Sequence, residues 1–189
     1  MKKEHLLTGA ITGLAMLSLA TSINRGEPVI VKAQSSTQIE YIQKVIKHID
    51  AEGPAQIERI CYDVPLSADE QAGIQDICIM YGIDMRLVLA IAQRESGFDE
   101  AAVGDREQSL GMYQIQPRYW SHVYGSGLDL LNKYDATIAC CEALSYLYEK
   151  YGSTERVLNA YNTGSPDKYN GYSASILKIR EEIRQIWYA

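Results

Sequence analysis

In this 189-residue chain, proton-transfer chemistry has its best-supplied candidate in one glutamate, Glu95, at the end of an apolar run. Residues 85–92 are apolar on nearly every side, which predicts a helix buried in the middle of a domain. Glu95 follows Ile91 by four positions and Leu87 by eight, so the three share one stripe of that helix. A carboxyl group at the edge of an apolar ridge is partly withdrawn from water. That disfavours its ionised form and equips it to hold and release a proton near neutrality. Glutamates also commonly end helices as plain solvated charges, so the neighbours of Glu95 must decide between the two readings. A second carboxylate does not stand out: Asp99, Glu100, Asp105 and Glu107 crowd the following loop and read as solvated. His5, His48 and His122 lack metal-ligand spacing, and no glycine-rich phosphate loop occurs, so neither a metal nor another cofactor is implied.

The elements that must hold Glu95 are mostly helical. Apolar residues recur at helical spacing over 39–50, and a second helix starts at Ser67, where Ser67 and Glu70 form a capping box and Gly82 marks the stop. After the central helix, Gly97 suits a C-terminal stop. A loop follows over 99–107, and a small hairpin or irregular strand is predicted over 110–117 because Gly111 lies inside it. Beyond Pro117 come a short helix, one over 136–151, one over 153–161 with Ser153 as N-cap, and a last one over 173–187. The expected fold class is therefore mainly α, with a small β-hairpin beside a central buried helix.

Three short words follow in order around this framework. Glu95-Ser96 comes first, then Ser109-Leu110-Gly111-Met112-Tyr113-Gln114-Ile115-Gln116-Pro117, and much later Ala160-Tyr161-Asn162-Thr163-Gly164. Their order and spacing resemble the soluble lytic transglycosylase family, whose fold is lysozyme-like and related to goose-type lysozyme. The resemblance spans about residues 85–165. It implies that Glu95 is the catalytic acid and base, that the Tyr161 hydroxyl points at it, and that Ser109, Gly111, Met112, Tyr113, Gln114 and Asn162 bind the glycan.

The residue types suit those roles. Glycine allows close approach to its backbone, the two amides offer both donors and acceptors, and a phenol can donate to a carboxylate. Tyr113 stands where the family word often has a smaller or flexible apolar residue, and Thr163-Gly164-Ser165-Pro166 replaces the commoner Ala-Gly-Pro continuation. The implied reaction is cleavage of peptidoglycan strands between N-acetylmuramic acid and N-acetylglucosamine with a 1,6-anhydro product. Lysozyme-type hydrolysis, or an inactive glycan-binding scaffold of a secretion or conjugation machine, are the alternatives.

Residues 1–33 read as a signal peptide or N-terminal membrane anchor: a basic start at Lys2-Lys3, an apolar run over 6–20, and small residues suiting cleavage after Ala20 or Ala33. The domain proper is then 34–189, acting outside the cytoplasm, secreted or held at the envelope, as a monomer. Without 1–33 the chain loses Lys2, Lys3, Arg25 and Lys32 with Glu4 and Glu27, so 18 basic and 24 acidic residues become 14 and 22, a net charge of −8. An acidic surface does not seek nucleic acid; 14 tyrosines and 2 tryptophans can supply ring stacking and hydrogen bonds to a glycan. The four cysteines, Cys61, Cys78, Cys140 and Cys141, read mainly as small buried hydrophobes.

Overall fold

The computed structural model describes residues 15–19, 29–33, 59–124 and 127–186. The chain divides into two units, Met1–Pro54 and Ala55–Ala189. In the first, strand β1 (Ala15–Leu19) pairs antiparallel with β2 (Val29–Ala33), Leu17 opposite Val31. The helix expected over 39–50 lies outside the described residues. Among the described residues, no helix is long and apolar enough to cross a membrane.

In the second unit the local signals translate directly into helix ends. Helix α1 (Ala68–Tyr81) starts at the expected capping box: the Glu70 amide donates to Ser67 Oγ at 3.3 Å, and the Ser67 amide to Glu70 Oε2 at 2.7 Å. Gly82 ends it in the left-handed conformation, φ 64°. Asp84 then caps α2 (Met85–Glu95), its carboxylate accepting from the Arg86 amide at 2.9 Å. Val88 through Ala92 are fully enclosed, so α2 is the central helix. Helices α1 and α4 (Lys133–Tyr151) pack against it, as does α6 (Tyr172–Glu182). Between lie α3 (Pro117–Tyr124) and α5 (Thr154–Thr163), both packed on α4 or its neighbours. Ser153 caps α5 without a side-chain hydrogen bond.

Three expectations need adjustment. The hairpin opens earlier than predicted, with β4 (Val103–Gly104) paired to β5 (Ser109–Leu110); Leu110 then bridges to Ile115 within the segment where the strand was expected. At the end of α2, Ser96 is the C-cap, with Gly97 behind it at φ 64°. The last helix stops at Glu182, not at 187. Ile183 turns extended, and Gln185–Ile186 forms β6, pairing with β3 (Cys61–Tyr62). A ladder joining the two ends of this unit leaves no local periodicity in the sequence, so helical spacing alone overruns it. All four cysteines are free and buried.

Candidate functional site

Glu95 occupies the last residue of α2, half-buried at the wall of a groove of about 760 Å³. That volume lies in the upper part of the usual range for ligand sites, roughly 300–1,000 Å³. Burial pushes the Glu95 carboxyl above its ordinary value near 4.5; a hydrogen bond from Tyr172 and the charge of Arg94 oppose the rise, and the charge of Asp105 adds to it. Desolvation is the largest of these, so the group keeps its proton to higher pH than a free glutamate.

The phenol that touches the acid is Tyr172, whose Oη donates to Glu95 Oε1 at 2.5 Å. Tyr172 opens α6, behind Gly171 in the left-handed conformation, with its amide donating to Asn170 Oδ1 at 3.1 Å. Asn170 in turn donates through Nδ2 to Asn162 Oδ1 at 2.7 Å. Asn162 therefore braces the loop that delivers the phenol. The expectation that the Tyr161 hydroxyl points at Glu95 is not met. Tyr161 Oη donates to the Tyr113 carbonyl at 3.2 Å, with Cys140 Sγ at 3.9 Å, and its ring stacks on Trp120, centroids 5.9 Å apart. Tyr161 lines the groove, and its hydroxyl is held by Cys140 of α4 and by the Tyr113 carbonyl at the hairpin exit.

The middle word splits between groove and core. Ser109 and Gln114 line the groove; Gly111, Met112 and Tyr113 are buried and do not. Tyr113 instead shares a hydrogen bond with Thr137 Oγ1 at 2.9 Å. Packing requires a glycine at 111: at φ 70°, a Cβ there would stand 1.8 Å from the Leu130 carbonyl oxygen. Gln114 spends its Nε2 on the carbonyls of Ala102 and Gly111, at 3.2 and 3.0 Å, and its Oε1 lies where a Cβ on Gly104 would be, 2.2 Å away. Ser96 fastens this segment to the helix that carries the acid, its Oγ donating to the Met112 carbonyl at 2.8 Å.

Of the loop acids, Asp105 turns into the groove. Its Oδ2 accepts from Ser109 Oγ at 2.7 Å and Gln116 Nε2 at 3.0 Å, and Asp105, Arg106 and Glu107 all hold positive φ in the hairpin turn. Asp105 is exposed, as expected of a solvated charge, and lines the groove as well; sequence reasoning missed Tyr172, Gln116 and Trp120. Only Tyr172 had a local signal, the Asn170-Gly171 turn before the last helix. Among the described residues, no group of three or more His, Cys, Asp or Glu side chains could hold a metal ion.

The fold and groove thus define a helical domain with a half-buried carboxylic acid at the wall of a groove. A family model for the transglycosylase SLT domain matches residues 74–175, which is 102 of the 189, and the chain belongs to that family. A search of curated proteins returned no match. Among solved structures, the chain is similar to an inactive mutant of the lytic transglycosylase Slt from Pseudomonas aeruginosa, at 16% identity and a TM-score of 0.47. The similarity covers 77% of this chain but only 26% of that one.

Proposed function

We infer that this protein is a peptidoglycan lytic transglycosylase with Glu95 as its sole acid and base, acting outside the cytoplasm behind a leader or anchor formed by residues 1–33. The observation that carries the reading is the half-buried Glu95 carboxyl at the edge of the groove, its proton affinity raised by burial and its oxygen hydrogen-bonded by Tyr172. Glu95 protonates the oxygen bridging N-acetylmuramic acid to N-acetylglucosamine, and the C1–O bond breaks. The substrate's own N-acetyl group eases the positive charge on the ring. Glu95, now a carboxylate hydrogen-bonded by Tyr172, takes the proton of the C6 hydroxyl as that oxygen bonds to C1, closing the 1,6-anhydro ring without consuming water. The Tyr161 ring, stacked on Trp120, offers an apolar face to a sugar, with Gln114 and Asn162 beside it as polar partners.

Asp105 supports a second reading. A carboxylate in the same groove, fixed by Ser109 and Gln116, has the chemistry to orient a water for hydrolysis, which ordinarily needs two carboxyl groups. Product masses separate the two. Digestion of purified peptidoglycan should release muropeptides one water lighter than hydrolysed ones, and products with free reducing ends would replace the first reading by the second. A protein that binds glycan without turnover would instead be the inactive scaffold.

A further inference from the structure

The groove has a second wall that general acid chemistry does not use. On it lie Arg118, Tyr119 and His122 from α3 with Tyr146, Lys150 and Tyr151 from the end of α4, all facing the groove that contains Glu95. The Arg118 guanidinium lies 4.4 Å from the Tyr119 ring centre and donates to that phenol's oxygen. Lys150 Nζ sits 5.7 Å and 5.3 Å from the ring centres of Tyr146 and Tyr151, and His122 meets Tyr146 edge-on at 6.0 Å. The chain carries more acids than bases, and the ion pairs among the described residues neutralise Arg59, Lys133, Arg156, Lys178, Arg180 and Arg184, but neither Arg118 nor Lys150. Tyr119 is 53% exposed and Tyr146 38%, both large for aromatic rings. Cations held over exposed rings without carboxylate partners, in an acidic protein, form a site prepared for an anion.

Resting on the reading of the groove as a glycan cleft, we propose that this wall binds the carboxylates of the acidic peptide attached to the N-acetylmuramic acid lactyl group, so that the protein selects peptide-bearing strands. The sugars are neutral and need no cation. Two cationic side chains and a histidine, spread over two helix ends and interleaved with phenols, exceed what a single lactyl carboxylate would occupy, and the phenols suit a peptide backbone.

The test is binding, measured with the full-length Glu95→Gln protein by co-sedimentation. Three insoluble preparations are compared: peptidoglycan with free peptide carboxylates, the same material with its carboxylates converted to methylamides, and amidase-stripped strands retaining only the lactyl carboxylate. The first should bind about tenfold more tightly than either of the others, and Lys150→Glu or Arg118→Glu should each remove that advantage. Equal binding of stripped strands would show that the lactyl group suffices and would overturn the proposal. Equal binding of the methylamides, or charge reversals without effect while circular dichroism shows native helix, would overturn it as well. Because cleavage is not the readout, an inactive wild-type protein that still discriminates in this way would refute the transglycosylase reading and leave the peptide site standing.

Discussion

Replacing Gly111 by alanine separates a structural glycine from a substrate-binding one. The added Cβ would stand 1.8 Å from the Leu130 carbonyl oxygen and 2.9 Å from its carbon, both backbone atoms, in a residue held at φ 70°. The left-handed conformation costs an L-residue about 1–2 kcal/mol. Forcing an extra carbon into a filled interior costs about 1–3 kcal/mol more. The total, roughly 2–5 kcal/mol, is a large part of the 5–15 kcal/mol that holds a domain folded, and at about 2–4 °C per kcal/mol it lowers the melting temperature by roughly 5–20 °C. Thermal unfolding followed by circular dichroism reads this directly. Gly104→Ala is the internal contrast, since the one atom its Cβ would overlap is Gln114 Oε1, the movable end of a side chain, at 2.2 Å, the next contacts being an ordinary 3.4 and 3.7 Å away. It should leave the melting temperature within about 3 °C of the parent while raising KM, because Gln114 must swing within the groove. A Gly111→Ala protein that melts like the parent but binds strands poorly would refute the packing argument and return Gly111 to the cleft.

Glu95→Gln should abolish strand cleavage and leave the helical spectrum intact; residual cleavage at even one part in ten would place the acid elsewhere. The same variant tests the burial of the carboxyl. The native state holds that proton more tightly than the unfolded chain does, so wild-type stability should decline as pH rises from the ordinary value near 4.5 through the raised native one. Denaturant titrations should show the Gln variant free of that decline, and parallel curves would argue against burial. Tyr172→Phe removes a hydrogen bond that favours ionised Glu95, so the alkaline limb of the kcat/KM profile should move to higher pH as kcat falls about tenfold. A limb moving to lower pH would contradict the assignment. Ser67→Ala deletes the α1 capping box and should cost about 1 kcal/mol in denaturant unfolding with no change in KM.

What the sequence disclosed were features decided within a few residues. The capping box at Ser67 and Glu70, the left-handed stop at Gly82 and the apolar run of α2 each announce themselves locally, and each stands where expected. The hairpin was mislaid because its first strand, Val103–Gly104, is two residues long and carries no alternation to read. Glu95 was visible from its stripe on α2, but its phenol was not. Tyr161 and Tyr172 are both tyrosines on helices near the groove, and only the packing of α6 against α2 decides which hydroxyl reaches the acid. Likewise, Gly111, Met112 and Tyr113 sit in a word that points to a cleft, yet the turn of the backbone there drives all three inward.

Glu95 and Tyr172 are 77 positions apart. A growing chain thus carries its acid long before it carries the partner that steadies it, and the pair exists only after α6 has docked on α2.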